Sequence, residues 1–383
     1  MQITKTNKLI IPAFIAITIV VAVVIGILSY FYTTKNSSLD KNASGIRHTT
    51  SLGYLPQIQY RVGPGYGVDD NLPDSFKDFV LNNNMPVILK ELYKDLDEES
   101  IRNLKSALHS ILHLPDVNYL KYYTEFDHEA FDKDFRTKEE QRLYDDIQFD
   151  VAEQLRKNYK LPKDAMVLPY VFFYKHNLRF ANDKIKEYVK NKIFIDAGSY
   201  YGDSALVMME FNPSIVYSFD ISDKNIKDYK ITMELNNIPK DKYALYKMGI
   251  SDKKAKYNIV NSSENPFEGI YYQTDEKKGS KIKTIDIDTF LADKKGSVGF
   301  IKADVQGSMY DALVGMKMTI KKHRPVLLFE ISDSPKEFFY TKPLLDEITK
   351  NLNYTIKITK YPAPRTIHGT DIWAYPKELG EQN

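Results

Sequence analysis

An uncharged run rich in Ile, Val and Ala occupies residues 9–32. As a helix rising about 1.5 Å per residue, the run would be roughly 36 Å long, which is enough to cross a bilayer. A cleaved signal peptide has a shorter apolar stretch that ends in small residues, whereas this run ends in Tyr30, Phe31 and Tyr32. Aromatic residues of this kind suit a membrane interface. The pattern predicts a short N-terminal tail, residues 1–8, followed by a single transmembrane anchor.

Charge does not decide on which side of the membrane the rest of the chain lies. Basic residues flank the run on both sides, at Lys5, Lys8, Lys35, Lys41 and Arg47. The positive-inside rule therefore gives no orientation. Asn36 and Asn42 each begin an Asn-x-Ser triplet, which would be glycosylated on a lumenal side. These triplets favour a glycoprotein whose C-terminal part is lumenal or external.

Between the apolar run and residue 186, two segments are distinguished by their patterns. Residues 33–70 are polar and turn-rich, which predicts a linker or stalk. Residues 71–185 are mainly helical in pattern, since Ile101, Leu104 and Leu108 recur at three- and four-residue spacing. This second segment is predicted to be a helical accessory region.

Histidines in the accessory region are expected to be structural. His109 and His113 lie four residues apart on a predicted helix and could grip zinc, but Ser110 stands where a metalloprotease needs its Glu. Residues 166–180 alternate apolar and aromatic side chains across a polar turn, which predicts a short hairpin. His176 in that turn could line a site, although a position at a domain edge is favoured.

A strand, a glycine turn and a helix follow one another directly after residue 191. Residues 192–196 are an apolar strand, and residues 203–211 have a helical pattern. In the turn between them, Gly198 can adopt backbone angles denied to other residues, and Gly202 lets a ligand or strand approach the helix start closely. The exposed amides of such a turn can receive an anionic group.

A second strand, residues 215–219, ends in Asp220, about 24 residues after Asp196. In a doubly wound sheet an acidic side chain at this point reaches the two hydroxyls of a ribose. The spacing predicts a ligand that contains a nucleoside. A dinucleotide fingerprint would need glycines at positions 200 and 203, which are Tyr200 and Asp203, so NAD is disfavoured.

Strand and helix patterns continue to alternate toward the C-terminus. Further strands are predicted over residues 243–248, 298–302, 325–329, 354–359 and 371–375, and helices over residues 224–236, 309–321 and 336–350. This alternation predicts a three-layer α/β fold. Carboxylates fall at the carboxyl ends of its strands, at Asp196, Asp220, Asp304 and Glu330. Ligands of such sheets lie beyond these ends, so the four carboxylates predict a site.

The composition narrows the function classes. Hydrophobic residues make up 43% and charged residues 27%, as in an ordinary globular protein. A net charge of +2 provides no broad electrostatic reason to bind nucleic acid, which is not expected as a partner. The chain has no cysteine, which excludes disulfides, thiolate metal sites and a cysteine nucleophile. No metal site is predicted, because a ribose accounts for Asp220 and strand-end placement for the other carboxylates.

Several motifs occur in an order that resembles one known family. They are residues 194–204 (FIDAGSYYGDS), 249–253 (GISDK), 285–290 (IDIDTF), 299–307 (GFIKADVQG), 311–313 (DAL) and 325–331 (PVLLFEI). Together they resemble the signatures of the FkbM family of S-adenosylmethionine-dependent methyltransferases. The likeness covers roughly half of the chain and predicts an FkbM-like domain over residues 186–378.

The resemblance implies a Rossmann-like, seven-stranded methyltransferase sheet whose last strand runs antiparallel. It also implies S-adenosylmethionine as cofactor and an acceptor hydroxyl on a sugar or small metabolite. Carried over residue by residue, it places the methionine end of the cofactor at Asp196, Gly198 and Gly202. It likewise places the ribose at Asp220 and the adenine near Asp252.

On the acceptor side, the resemblance points to Asp304, which is predicted to be the catalytic base or to hold the acceptor. The family's second signature usually carries Glu where this chain has Gln306. A neutral amide cannot act as a general base. A role that depends on that carboxylate is therefore not expected here.

Three functions are compatible with these features. The favoured one is a membrane-anchored methyltransferase that acts on a hydroxyl of a glycan or small molecule. Gln306 would also fit an inactive descendant that keeps the fold for binding or scaffolding. The third function is a membrane-anchored glycosyltransferase, which would use an Asp-x-Asp metal-binding motif. Asp286 and Asp288 match this motif, but they precede a predicted helix within the methyltransferase pattern.

Overall fold

The structure, a computed structural model of the chain, describes residues 72–112, 138–163, 165–261, 271–273, 280–361 and 369–380. All of them belong to the compact unit Gln59–Asn383, one of two units into which internal contacts divide the chain. The predicted tail, anchor and linker, residues 1–70, lie outside the described residues. Within the ranges given above, no helix is long and apolar enough to cross a membrane.

Helices precede an alternating region. The first helices are α1 (Leu72–Asn82), α2 (Met85–Tyr93), α3 (Glu98–Leu112), α4 (Lys138–Lys157), α5 (Pro169–Tyr174) and α6 (Asp183–Val189). The alternating region consists of β1 (Ile193–Ala197), α7 (Asp203–Met208), β2 (Ile215–Asp220), α8 (Asp223–Leu235), β3 (Tyr243–Lys247), β4 (Gly249–Ile250), β5 (Ala255–Asn261), β6 (Tyr271–Gln273), β7 (Ser280–Ile285), α9 (Ile287–Phe290), β8 (Val298–Ala303), α10 (Met309–Val314), α11 (Lys317–His323), β9 (Val326–Glu330), α12 (Pro335–Thr349), β10 (Tyr354–Lys360) and β11 (Thr370–Pro376). The predicted α/β alternation is confirmed.

Seven strands form the main sheet in the order β10-β11-β9-β8-β1-β2-β3. Strand β1 pairs in parallel with β2 and β8, whereas β11 runs antiparallel to both β9 and β10. The sheet is therefore mainly parallel with one reversed strand, as the resemblance implies. The chain winds outward from β1 to β3 and then returns to the other side of β1 through β8. This reversal opens a crevice at the carboxyl ends of β1 and β8.

Strands β1 and β8 are buried at every position. Helices cover both faces of a sheet of this kind, so its central strands are almost continuously apolar. Asp196 in β1 and Lys302 in β8 are the exceptions, and they are opposite each other in the register of the two strands. An opposed acid and base inside a buried sheet indicate that the two charges are paired.

The accessory helices share hydrophobic cores with the sheet. Phe79 of α1 stacks on Phe339 of α12, with ring centroids 4.9 Å apart. Helix α5 contacts α7 beside the glycine turn, and nearby the Tyr201 hydroxyl donates to the Met166 carbonyl at 3.1 Å. The helices therefore cover the domain instead of forming a separate body. The boundary between residues 185 and 186 stays a prediction.

The hairpin predicted over residues 166–180 is wrong. The segment forms the short helix α5, in which Val171 and Phe172 are buried. Pro169 stands at the start of this helix, where its fixed φ suits the first turn. Lys175, His176 and Asn177 then follow with φ angles of 48°, 55° and 64°. Burial on more than one side produced an alternation that resembled a strand.

Two further differences lie near the C-terminal half of the sheet. The helix predicted over residues 309–321 is split into α10 and α11, which are separated by Gly315 and Met316. A Cβ on Gly315 would be 2.1 Å from the Ser251 carbonyl oxygen, so the approaching backbone excludes a side chain there. A second sheet of four strands, in the order β4-β7-β5-β6, was not predicted. Its strands β4 and β6 have only two and three residues, which is too short for a periodic signal.

Candidate functional site

A cavity of about 520 Å³ lies at the carboxyl ends of β1, β2, β8 and β9. Its position is the one at which open α/β sheets bind ligands, and its volume is in the range of small-molecule sites. The turn after α5 and the small sheet contribute further walls. The site is therefore built by the sheet, the accessory region and the small sheet together.

Gly198 lies in the cavity floor, where the backbone of Asp304 approaches it closely. Its φ is +77°, and a Cβ placed there would be 1.7 Å from the Asp304 carbonyl oxygen. The Asp304 amide donates to the Ala197 carbonyl at 2.9 Å, which holds the loops after β1 and β8 together. Only glycine can occupy this position, because both its backbone angle and the space around it exclude a side chain.

Gly202 has a different role. It precedes α7 with a φ of +88°, and a Cβ there would be 2.9 Å from Cδ2 of Tyr229 in α8. Gly202 is not among the residues that line the cavity. It shapes the turn and allows α7 and α8 to pack closely, so any effect on a ligand is indirect.

Asp220 lines the cavity and ties two loops together. One carboxylate oxygen accepts from the Tyr200 amide at 2.9 Å, and the other from the Ser222 amide at 2.8 Å. The side-chain amide of Asn225 donates to both oxygens. Burial raises the pKa of Asp220 to about 6, although these hydrogen bonds oppose the shift. These four contacts use about all the acceptor positions of the carboxylate, and the two from Asn225 are the longest, at 3.2 and 3.3 Å. Ribose hydroxyls would therefore bind Asp220 by replacing the Asn225 contacts.

Asp196 lies beneath the cavity floor. It is fully buried and does not line the cavity. Its carboxylate is 3.4 Å from the Lys302 ammonium, which in turn donates to the Gly198 carbonyl at 2.6 Å. Burial raises the pKa of Asp196 to about 6, against the attraction of Lys302. Asp196 therefore acts on the glycine turn through Lys302.

Lys302 was not singled out from the sequence, although it lines the cavity. Burial lowers the pKa of this lysine, but the carboxylates of Asp196, Asp304 and Asp203 outweigh burial and raise it overall. Lys302 is therefore a fixed positive charge in the site. A lysine inside an otherwise apolar strand was the signal that could have identified it.

Asp203 was also missed as a site residue. It is the first residue of α7, lines the cavity and is 1% exposed. Its Oδ1 accepts from the Ser204 amide at 2.9 Å, whereas its Oδ2 has no hydrogen-bond partner among the described residues. Burial raises the pKa of Asp203 to about 7 despite the nearby Lys302. A ligand could therefore supply the hydrogen-bond donor that Oδ2 lacks.

Asp304, for which an acceptor-side role is predicted, lines the cavity at the end of β8. The side-chain amide of Gln306 donates to its Oδ1 at 2.9 Å. A Glu at position 306 would place a second carboxylate against Asp304 in the same geometry. Gln306 therefore orients Asp304, which is a role that an amide can perform and a carboxylate cannot.

Asp252 lies at the exposed rim of the cavity. It accepts from the Ser251 hydroxyl at 3.2 Å and is 3.6 Å from the Lys253 ammonium. Apolar side chains line the neighbouring wall, among them Phe219 and Ile250. A flat aromatic base beside Asp252 would meet an apolar surface, so the adenine assignment stays a reasonable prediction.

Glu330 and Asp371 form a carboxyl pair on the opposite wall. They are register partners on β9 and β11, and both line the cavity. Burial raises the pKa of Glu330 well above its usual range and that of Asp371 to about 6. The two side chains also hydrogen-bond to each other, so the pair retains a shared proton near neutral pH. Asp371 is the second residue of the antiparallel strand β11, and sequence order alone did not place it at this edge.

His176 lines the cavity at 5% exposure, contrary to the position favoured from the sequence. Burial and the Lys302 charge lower the pKa of its imidazole well below the usual range, so the ring is neutral at pH 7. Its Nε2 has no hydrogen-bond partner within the described ranges. Asn177 holds the turn in place by donating to the Thr359 hydroxyl at 3.0 Å.

Tyrosines line the same part of the cavity. The ring of Tyr361 is 5.6 Å from that of Tyr170 and 5.8 Å from that of Tyr174. All three side chains border the cavity next to the carboxyl pair. Flat apolar faces beside hydrogen-bonding carboxyls form a surface suited to a ligand with both apolar and hydroxyl-bearing sides.

The structure accounts for the Asp-x-Asp triplet without a metal. Asp286 accepts from the Thr289 amide at 2.7 Å and caps α9, while Asp288 accepts from the Met318 and Thr319 amides at the start of α11. Among the described residues, no group of three His, Cys, Asp or Glu could hold a metal ion. His113 lies outside the described residues, so its pairing with His109 is not addressed.

The cavity fits the predicted cofactor. Asp220 offers acceptors for a ribose, Phe219 and Ile250 offer an apolar wall for a base, and the unpartnered Oδ2 of Asp203 can accept from a cation. Gly198 allows the ligand to approach the backbone of the turn. A nucleoside that carries a positively charged side chain matches this set of groups.

A comparison with known protein families also matches part of the C-terminal half to methyltransferases. Residues 181–356 match the family described as Methyltransferase FkbM domain. These residues overlap most of the predicted 186–378 domain. No curated protein matches the chain.

Several solved structures resemble the chain at low identity. A methyltransferase FkbM from Methylobacillus flagellatus KT is 15% identical with a TM-score of 0.48, and the match covers 79% of this chain and 61% of that one. The chain thus spans less than two thirds of that protein. A candidate methyltransferase from Streptococcus mutans in complex with SAH is 13% identical, with a TM-score of 0.32 and coverage of 50% and 93%. An rRNA methylase from Streptococcus thermophilus is 12% identical, with a TM-score of 0.33 and coverage of 56% and 99%.

Proposed function

Because residues 181–356 match the family described as Methyltransferase FkbM domain, we propose that the chain transfers a methyl group from S-adenosylmethionine to a hydroxyl of a sugar, glycan or small molecule. The observation that carries this proposal is the cavity at the switch point of the sheet. Asp220 is held there by two loop amides in the position that suits a ribose.

The residues of the glycine turn would bind and orient the cofactor. When bound, S-adenosylmethionine supplies an electrophilic methyl group on a sulfonium. Transfer then depends mainly on holding the methyl and the acceptor oxygen in line, which positioning alone can accelerate greatly. Lys302 fixes the Gly198 carbonyl from below, and the Asp304 backbone limits the space above the turn.

Asp304 is proposed as the acceptor-side base or as the residue that holds the acceptor hydroxyl. Gln306 orients its carboxylate from the solvent side. A hydroxyl acceptor must lose a proton as the new bond forms, so a nearby base assists the reaction. The Glu330–Asp371 pair and neutral His176 line the same part of the cavity and offer further hydrogen bonds to the acceptor.

The tyrosine rings support an acceptor that contains a sugar or a similar ring. Tyr170, Tyr174 and Tyr361 present flat faces next to the carboxyl pair. Carboxyl groups bind hydroxyls, and aromatic faces pack against the apolar side of a ring. This combination would hold a polyhydroxylated acceptor in a defined orientation.

We also propose that residues 9–32 anchor the enzyme in a membrane, with the domain on the lumenal or external side. The support is the apolar run and the two Asn-x-Ser triplets of the sequence. Alkaline carbonate extraction of the full chain should leave it in the membrane pellet. A glycosylation mass shift that disappears in an Asn36→Gln, Asn42→Gln variant would show that the domain is on the lumenal or external side. Release of the chain by carbonate would disprove the anchor.

The cofactor assignment is tested by calorimetric titration of the full chain in detergent with S-adenosylmethionine. Saturable binding is expected, and Asp220→Asn should weaken it by about tenfold or more, which corresponds to about 1.4 kcal/mol. Asp223→Asn is the matched control, because its exposed carboxylate lies nearby on α8 and pairs with Lys247. Absence of binding to the unmodified chain would rule out the methyltransferase. Normal binding without transfer to any glycan or small-molecule acceptor would favour the inactive descendant.

A further inference from the structure

Asp203 carries a buried carboxylate oxygen that the protein itself does not use. The side chain is 1% exposed and lines the cavity. Oδ1 accepts from the Ser204 amide, but Oδ2 has no donor among the described residues. A buried polar atom without a hydrogen-bond partner is unfavourable, and more so when the group is charged. A donor supplied by a ligand would remove this cost.

The charges around Asp203 show what kind of donor suits it. Lys302 is close enough to affect the ionisation of Asp203, and it also lines the cavity. Lys302 already donates to the Gly198 carbonyl and lies 3.4 Å from Asp196. Both Asp203 and Lys302 line the cavity, so its wall presents a carboxylate and an ammonium. An α-amino acid group, with its own ammonium and carboxylate, has the complementary pair of charges.

The position of Asp203 relative to Asp220 fixes which part of a nucleoside ligand would reach it. Asp203 directly follows the glycine turn along the chain. The Tyr200 amide within that turn donates to Asp220. A ribose bound at Asp220 would direct its 5′ substituent across Gly198 toward the start of α7. A dinucleotide has an anionic pyrophosphate at that point, which the Asp203 carboxylate would repel.

We infer that Asp203, and not Asp196, binds the α-ammonium of the cofactor's methionine moiety through its free Oδ2. Oδ1 of Asp196 also has no hydrogen-bond partner among the described residues, but it lies 3.4 Å from the Lys302 ammonium, and Asp196 does not line the cavity. The inference rests on the proposed function, since it concerns the cofactor of that reaction. Asp203 thereby becomes the residue that selects a nucleoside with a cationic amino-acid tail.

The test compares ligands that share the nucleoside and differ in the tail. S-adenosylhomocysteine carries the α-amino acid group, whereas 5′-methylthioadenosine lacks it. Calorimetric titration of the full chain in detergent with both ligands separates the two halves of the site. Asp203→Asn should weaken S-adenosylhomocysteine about tenfold or more and change 5′-methylthioadenosine less than about twofold. Asp220→Asn should weaken both ligands.

Asp203→Asn preserves the side-chain shape and the acceptor for the Ser204 amide, and a thermal unfolding curve verifies that it folds. Asp196→Asn is the competing variant. If Asp203→Asn binds S-adenosylhomocysteine as tightly as the unmodified chain, or if only Asp196→Asn loses it selectively, the inference is wrong and the proposed function stands. If the unmodified chain binds neither ligand, both the inference and the proposed function are overturned.

Discussion

Gly198 shows how one residue can control both the stability and the ligand site. Its carbonyl accepts from Lys302, while its α-carbon lies against the Asp304 backbone. The turn therefore connects β1 and β8 at the floor of the cavity. Any side chain at this position would push the two loops apart.

Gly198→Ala is expected to reduce the free energy of unfolding by more than about 1 kcal/mol and to abolish cofactor binding. The new Cβ would be 1.7 Å from the Asp304 carbonyl oxygen in a backbone with a φ of +77°. Denaturant unfolding and calorimetric titration measure the two effects.

The matched control for this glycine is Gly296→Ala. Gly296 also has a positive φ, +114°, but a Cβ there would be 3.3 Å from the flexible end of Ile193. The control isolates the strain of the backbone angle. Equal losses in both variants, with cofactor binding retained in Gly198→Ala, would contradict a role for the close approach.

Lys302 is expected to stabilise the site by neutralising Asp196. Lys302→Met should reduce the free energy of unfolding by about 3–5 kcal/mol, because it leaves a buried carboxylate unpaired. Denaturant unfolding of Lys302→Met, Asp196→Asn and the double variant forms a double-mutant cycle. The double variant should be more stable than Lys302→Met alone. Strictly additive losses would show that the two charges are not coupled.

The sequence identified the site residues whose position follows from a local rule. Gly198 lies in the turn after a strand, and Asp220 ends the next strand, so both could be predicted. Asp371 could not, because its place in the cavity depends on which strands become neighbours. Lys302 carried a signal, as a lysine inside an apolar strand, but its pairing with Asp196 also depends on which strands are neighbours. His176 was placed in a turn at a domain edge, since burial of that turn is set by the loop that packs on it.

At the scale of elements, α3 protects the edge of the main sheet. Strand β10 is at the end of the strand order, so its outer backbone groups have no neighbouring strand. The Ser100 hydroxyl accepts from the Ile358 amide at 2.9 Å, and the Asn103 side chain donates to the Ile358 carbonyl at 2.9 Å. The accessory helix thus satisfies an edge that could otherwise pair with another chain.

Ser100→Ala is expected to reduce the free energy of unfolding by about 1–3 kcal/mol. Ser100 is 1% exposed, so its loss leaves the Ile358 amide buried without an acceptor. Asn82→Ala is the control, because it removes a side-chain hydrogen bond to the Asp78 carbonyl at an exposed position. Denaturant unfolding should show a clear loss only for Ser100→Ala, and equal effects would contradict the proposed edge protection.

Element type was predictable wherever burial is uniform along the element. Strands β1 and β8 are covered on both sides and are apolar throughout, so their type and length followed from the sequence. Helix α5 is short and packed on several sides, and its alternation imitated a strand. In the small sheet, β4 and β6 are too short for a periodic signal, and the pairing of β4 with β7 depends on residues far apart in the chain. The longer strands β5 and β7 were missed.

At the scale of the whole molecule, buried carboxyl groups outnumber buried lysines and arginines within the part of the chain that the structure describes. Burial raises the pKa of Asp203 to about 7 and that of Glu337 to about 8. Glu337 lies on α12, where its carboxylate accepts from the Met309 amide and faces Asp333 and Asp304. The native state therefore binds protons that the unfolded chain has already lost at neutral pH.

The sign of the effect on stability follows from this difference in bound protons. Stability falls with rising pH wherever the native state binds more protons than the unfolded state. For Asp203 and Glu337 this interval extends from their unfolded pKa values near 4 up to about 7 and 8. Buried His176 has the opposite effect, but only below its unfolded pKa of about 6.5. The interval from pH 6.5 to 8.5 isolates the carboxyl groups.

The free energy of unfolding should decrease by on the order of 1–2 kcal/mol between pH 6.5 and 8.5 in the absence of ligand. Glu337→Gln should flatten this dependence and stabilise the chain at pH 8.5, because the amide oxygen still accepts from Met309 and carries no charge to desolvate. Glu347→Gln, at an exposed position on the same helix, should leave the slope unchanged. Denaturant unfolding at several pH values measures all three chains. A slope that persists in Glu337→Gln would show that other carboxyls, of which Asp203 is the first to examine, dominate the pH dependence.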